Sequence, residues 1–146
     1  MPHLTQQIGP GGPILDLFVG VSFPRSEALR KAGRSVPNSV RIKGLIDTGA
    51  SCTCIDPTIL SGLGLVPTGT TQVHTPSTSG AVPHIAKQFD VSLVLPHSVA
   101  NRTFIAVPVI ESQLLHQGIH ALIGRDILSF CLMTYDGQAQ TFCLGF

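Results

Sequence analysis

The chain has 146 residues, of which 43% are hydrophobic and only 12% charged, so it can form one domain with a real core. Nine basic and eight acidic side chains leave a net charge of +1, and the aromatic residues are seven Phe and one Tyr with no Trp. This composition excludes the basic footprint and the stacking platforms of a nucleic-acid-binding protein. No apolar stretch approaches the ~18 residues that a membrane-spanning helix needs, and the start of the chain lacks the features of a signal peptide. We therefore expect a cytoplasmic protein that binds neither nucleic acid nor membrane.

Short strand signals separated by Gly, Pro, Ser and Thr dominate the chain. They predict a flexible segment over residues 1–13, followed by a single domain over residues 14–146. Strands are expected at 14–22, 39–46, 88–96, 102–111 and 121–124, and as a two-residue hairpin around Asp136-Gly137. Helical signals are confined to a turn at 27–31, a short helix after Asp56-Pro57 and a turn or short helix at 125–129. The predicted fold class is all-β, with one or two short helices.

The stretch "GLIDTGASCTCID", residues 44–56, carries one acidic side chain at the end of an apolar strand. A carboxylate in that position is costly unless hydrogen bonds receive it. Gly49 allows a turn tight enough for amide groups to point back at Asp47, and Thr48 adds a hydroxyl. An ordinary Asx turn is the alternative. The surrounding frame favours a carboxylate held in a polar notch, because Ala50 and Ser51 follow it and "LIG" precedes Arg-Asp later in the chain.

From about residue 14 onward, this frame resembles the retropepsin-like aspartic proteases, the single-domain family that includes the retroviral proteases. "LIDTGAS" is similar to the family's catalytic loop, and "ALIGRDIL" to the second signature that packs beneath it. The resemblance implies a closed or folded β-barrel that forms a homodimer, with Asp47, Thr48 and Gly49 as the catalytic group. Thr48 would supply the hydroxyl of the hydrogen-bond lattice between the subunits. No metal or other cofactor is implied.

The resemblance also implies how a peptide or protein substrate would bind. It would lie between the subunits as an extended strand, bonded to Gly49 and to a flap formed by residues 72–86, with its tip at 75–82. The implied substrate-binding residues are Leu45, Ala50, Ser79, Gly80, Ala81 and Leu122. Retroviral members carry an acidic residue four positions after the catalytic aspartate, where this chain has Ser51, so Arg125 must find another partner.

Aspartic proteases need two carboxylates that share one proton, and this chain carries the motif once. The second carboxylate should therefore be Asp47 of another copy, related by a twofold axis. The predicted function is a homodimeric aspartic endopeptidase that hydrolyses peptide bonds. The alternative that stays open is a non-catalytic dimer of the same fold that binds peptides or proteins, since a fold alone does not fix a function.

Two other kinds of site are disfavoured by the sequence. His116 and His120 have the four-residue spacing of one helical face, but Gly118 interrupts the helix and no H-E-x-x-H pattern is present. Cys52 and Cys54 could offer a nucleophile near the loop, yet no cysteine-protease signature surrounds them. We expect the four cysteines of the chain to be reduced and mostly buried.

Overall fold

The computed structural model describes residues 1–74 and 83–146, and within them the chain is mainly β. The strands are β1 His3–Gln7, β2 Ile14–Val21, β3 Val40–Ile46, β4 Cys54–Ile55, β5 Gly69–Val73, β6 His84–Leu95, β7 Arg102–Glu111, β8 Ala121–Ile123, β9 Leu132–Asp136 and β10 Thr141–Gly145. The helices are α1 Phe23–Lys31, α2 Pro57–Gly62 and α3 Arg125–Leu128, with a 3₁₀ turn at Leu115–Gln117.

A closed barrel forms the centre of the molecule. Its strands are joined in the order β2-β3-β8-β4-β7-β6, and β6 pairs again with β2 and so closes the ring, while β5 extends from the outer side of β6. The core lies inside this ring because apolar side chains alternate along the strands, as on β2, where Leu15, Leu17 and Val19 are at most 1% exposed. The predicted fold class, mainly β with a closed barrel, is confirmed.

A second sheet of three strands, in the order β1-β10-β9, contains both ends of the chain. It includes β1, which lies within the segment 1–13 that the sequence predicts to be flexible. The pattern of β1 is weak because Leu4 is its only apolar residue, and the strand depends on pairing with β10, from His3 opposite Gly145 to Gln7 opposite Thr141. A partner more than 130 residues away leaves no local signal in the sequence.

The hairpin between β9 and β10 differs from its prediction. Asp136 pairs with Thr141, so four residues rather than two form the loop. The side chain of Asp136 explains the difference, because its Oδ1 accepts hydrogen bonds from the backbone N–H groups of Gln138 (3.0 Å) and Ala139 (2.9 Å). This Asx turn replaces the two-residue turn that Asp-Gly favours.

Helix α1 is longer than the single turn that the sequence predicts. It begins after Ser22, whose hydroxyl accepts a 3.4 Å hydrogen bond from the backbone N–H of Arg25, and proline occupies its first turn. With nine residues, α1 is the longest helix in the described part of the chain. None of the described helices is long and apolar enough to cross a membrane.

Candidate active site

Asp47 lies directly after β3, at the point where β3 runs parallel to β8. Its backbone N–H continues the ladder by donating to the carbonyl of Ile123 (3.0 Å), and the chain then turns, with the N–H of Ala50 donating to the Asp47 carbonyl (3.2 Å). Within this turn the N–H of Gly49 donates to Oδ1 of Asp47 (2.9 Å), so an amide points back at the carboxylate as expected, in the form of the Asx turn that the sequence offers as the alternative. The half-buried carboxylate is thereby oriented by its own loop.

Arg125, the first residue of α3, ties this loop to the end of β8. Its backbone N–H donates to the carbonyl of Ala50 (2.9 Å). Its guanidinium Nη1 donates to the carbonyls of Thr48 (2.9 Å) and Gly49 (3.3 Å). The arginine therefore uses backbone carbonyls of the loop in place of the carboxylate that Ser51 does not supply.

A second set of contacts lies beneath the loop, between Thr53 and Asp126. The N–H and the hydroxyl of Thr53 donate to the Asp126 carboxylate (2.9 and 2.8 Å), and the Thr53 hydroxyl accepts from the N–H of Gly124 (3.2 Å). Only glycine fits at position 124, because a Cβ there would lie 2.6 Å from the backbone carbon of Cys52. Thr53 is fully buried, and its role was missed because its partners lie more than 70 residues along the chain.

A cleft of about 630 Å³ opens beside Asp47, within the range of ligand-binding sites. The wall that carries the loop is formed by Asp47, Gly49, Ala50, Ser51, Cys52, Cys54 and Leu122. The lining also includes Val73, His74, His84, Ile110, Glu111, Ser112 and Gln113, which belong to β5, β6 and β7 and the residues that follow β5 and β7. Of the predicted residues, the cleft therefore brings together Asp47, Gly49, Ala50 and Leu122.

The other predicted site residues lie elsewhere. Leu45 is half-buried on β3 and is not part of the cleft lining. Its side chain lies against Gly12 instead, with Cδ1 only 3.0 Å from where a Cβ on that glycine would be. Thr48 is exposed, beside the lining. Both arms of the predicted flap are strands, β5 and β6, joined in register up to Val73 opposite His84. The tip, with Ser79, Gly80 and Ala81, lies outside the described residues.

The sequence does not mark the cleft residues of β5, β6 and β7, because they come from distant segments. Val73 ends β5 and His74 follows it, His84 begins β6, and Ile110 and Glu111 end β7. Nothing in their local pattern marks them, since each sits at an ordinary strand end. Only the pairing of β5 with β6 and of β6 with β7 brings these residues together at the cleft.

The structure also bears on the two disfavoured sites. His116 and His120 do not share a helical face, because Gly118 has a positive φ of 74° and ends the 3₁₀ turn. The ring Nδ1 of His120 instead accepts from the backbone N–H of Lys43 (3.1 Å). Among residues 1–74 and 83–146, no group of three or more His, Cys, Asp or Glu side chains could hold a metal ion.

The two cysteines of the cleft are poor nucleophiles. Burial, with smaller contributions from Cys52 and nearby carboxylates, raises the pKa of the Cys54 thiol to about 12. Burial also raises the pKa of Cys52. Both side chains are therefore neutral thiols at neutral pH, and a thiolate is the reactive form. They contribute apolar surface to the cleft instead.

Comparisons with known proteins agree with this geometry. The sequence model of the aspartyl protease family matches residues 35–127, from the approach to β3 through the loop, the cleft and most of α3. A comparison with curated protein sequences gave no match.

Two solved structures show the extent of the structural likeness. A retropepsin-like aspartic protease from Rickettsia conorii is similar with a TM-score of 0.63 and 18% identity, over 99% of this chain and 90% of that one. The retroviral protease-like domain of Ddi1 from Leishmania major gives a TM-score of 0.40 and 16% identity, over 86% of this chain and 83% of that one. Because the family model covers well over half of the chain and the first structure shares its fold, the protein belongs to the aspartyl protease family and has a retropepsin-like fold.

Proposed function

We propose that the protein is a homodimeric aspartic endopeptidase, which hydrolyses peptide bonds with a water molecule activated between two Asp47 carboxylates, one from each protomer. The observation that carries the proposal is the hydrogen bond from the Gly49 N–H to Asp47 on the wall of an open cleft. A carboxylate held at a fixed orientation beside a substrate-sized cleft can act as a general base or acid.

The need for two protomers follows from the chemistry. One carboxylate of the pair must take a proton from water while the other, protonated, donates to the carbonyl oxygen of the substrate. The remaining aspartates near the loop are engaged in structural contacts: Asp56 caps α2, and Asp126 binds Thr53. A second copy related by a twofold axis would supply the same oriented carboxylate without any further residue.

The predicted substrate-binding residues take the following places in this proposal. Gly49 and the flap residues Ser79, Gly80 and Ala81 would bond to the substrate backbone as to an added strand. Ala50 and Leu122 line the cleft and would contact substrate side chains. Leu45 pairs with Leu122 across β3 and β8 but does not line the cleft of one protomer. Its contact with substrate would therefore form only in the dimer. The exposed Thr48 hydroxyl would join the lattice between the two loops.

The dimeric enzyme should lose specific activity on dilution. Dissociation separates the two carboxylates, so the rate per chain should fall as the protein concentration drops below the dimer dissociation constant. The rate should also rise and fall with pH, because a pair that works with one shared proton is inactive when both carboxyls are protonated or both are ionised.

Cleavage of a diverse peptide pool, with new termini identified by mass spectrometry, tests both expectations across a dilution series and from mildly acidic to neutral pH. Sedimentation of the same samples gives the fraction of dimer. A specific activity that stays constant while the dimer dissociates would contradict the proposal. So would the absence of any cleavage over the whole range.

We also propose the cytoplasm as the compartment of this protein. All four cysteines have free thiols, one of them buried and three half-buried. Reduced cysteines are typical of proteins kept in a reducing environment.

A further inference from the structure

A second carboxylate, Glu111, lines the same cleft as Asp47. It is the last residue of β7, where Ile55 of β4 pairs with it on one side. Its Oε1 accepts a 3.3 Å hydrogen bond from the backbone N–H of Lys87. This contact holds the half-buried side chain in place against the lining of the cleft.

Within the part of the chain that the structure describes, no cation neutralises Glu111. The ion pairs found there involve only Asp16 and Glu27 among the acidic residues. Residues 75–82, "TPSTSGAV", contain no Lys, Arg or His. The Lys87 side chain is exposed and forms none of these ion pairs.

The cleft that Glu111 lines combines apolar surface with the Asp47 carboxylate and two histidines. Val73, Ile110, Cys54 and Leu122 line the cleft with it, and the described lining contains neither Lys nor Arg. A carboxylate with a single neutral hydrogen bond has unused acceptor capacity. Closing a peptide over it would remove water and strengthen its attraction for a positive charge.

We propose that Glu111 determines specificity by binding a basic side chain of the substrate, above all arginine. This inference rests on the proposed peptidase function of the same cleft. A guanidinium matches a carboxylate with paired hydrogen bonds, and such charge-assisted bonds are stronger than neutral ones. In a twofold dimer each protomer contributes its own Glu111, so a basic residue is selected on either side of the scissile bond.

Matched peptides in which one arginine is replaced by citrulline test the proposal, because citrulline keeps the shape of arginine and removes its charge. The wild-type protein should cleave the arginine peptide about tenfold or more faster in kcat/KM than its citrulline partner. Glu111→Gln keeps an acceptor for the Lys87 N–H, and in this variant the ratio of the two kcat/KM values should fall to between about 1 and about 2. Raising the salt concentration should lower the wild-type ratio as well.

Glu27→Gln is the matched control, since it removes one negative charge from an exposed position on α1. It should keep the wild-type ratio. An equal ratio in Glu111→Gln and wild type, or no preference for arginine in a wild-type protein that cleaves, would overturn the role of Glu111 and leave the peptidase function standing.

If the wild-type protein cleaves no peptide, the peptidase function fails. Binding of the same two peptides then tests whether Glu111 recognises the arginine side chain. Fluorescence anisotropy should then show tighter binding of the arginine peptide to the wild type, with the difference lost in Glu111→Gln. Equal binding of both peptides to the wild-type protein would overturn the proposal.

Discussion

Replacing Asp47 with Asn should lower peptide cleavage by about 10²–10⁴-fold, the range over which a positioned acid or base contributes to a rate. The amide oxygen of the new side chain can still accept the hydrogen bond that Gly49 donates to Oδ1, so the loop should keep its shape. The substituted pair can no longer take a proton from water. We therefore expect turnover to fall by this factor while the dimer and its affinity for peptides persist, as measured by cleavage assay, sedimentation and peptide binding.

Asp136→Asn is a suitable control for this variant. It removes the same charge from the exposed end of β9, where an Asn side chain can accept the two turn hydrogen bonds that Asp136 accepts. Its activity should match the wild type. Cleavage that survives in Asp47→Asn at the level of the control would remove Asp47 from the chemistry. A protein that binds peptides equally well in all three forms and cuts none of them is the non-catalytic binding module.

Replacing Asp56 with Ala should lower the free energy of unfolding by about 3–5 kcal/mol, because several buried donors lose their acceptor together. The Asp56 side chain is 0% exposed. Its carboxylate accepts from the backbone N–H groups of Thr58 (2.9 Å), Leu114 (2.8 Å) and Leu115 (3.1 Å). It thus caps α2 and fixes the segment that follows the Glu111 end of β7. Urea denaturation measures the change.

The matched control is Ser22→Ala at the cap of α1, where the hydroxyl accepts one 3.4 Å hydrogen bond. That change should cost about 1 kcal/mol, the usual value for a helix cap. Asp56→Ala that costs no more than Ser22→Ala would contradict the account of this buried carboxylate.

The effect of Asp56 should depend on pH. Burial alone would raise its pKa, but the hydrogen bonds from Leu114, Thr58 and Leu115 outweigh burial and hold the pKa of Asp56 below its ordinary value. A carboxyl with a lowered folded-state pKa stabilises the protein above the unfolded pKa, near pH 4, and loses this contribution as the pH falls through the folded value. The difference in stability between the wild type and Asp56→Ala should therefore be full at neutral pH and shrink in strong acid.

The parts of the fold that the sequence predicts well are those whose signals are local. Strand β2 is marked by a run of branched apolar residues between Gly-Gly-Pro and Phe-Pro, and the Asp56-Pro57 pair marks the start of α2. The Asp47 loop is equally local, because the hydrogen bond from Gly49 spans two residues. The resemblance of this loop to a protease family could therefore be recognised from the sequence alone.

The parts that could not be predicted depend on residues far apart in the chain. Strand β1 exists through its pairing with β10. The buried contact of Thr53 with Asp126 spans 73 residues, and Arg125 reaches the loop carbonyls across a similar separation. In the sequence Glu111 is an ordinary strand-end residue, and only the folded barrel places it in the cleft lining.

The central claim is that one active site uses Asp47 from two chains, and mixed dimers test it most directly. Wild-type and Asp47→Asn chains are refolded together at constant total concentration, and cleavage is followed as the wild-type fraction changes. Random pairing makes the active dimers vary as the square of that fraction, so an equal mixture should retain about a quarter of the full rate. A rate that falls in simple proportion to the wild-type fraction, to about a half in the equal mixture, would show that each chain works alone and would contradict the account.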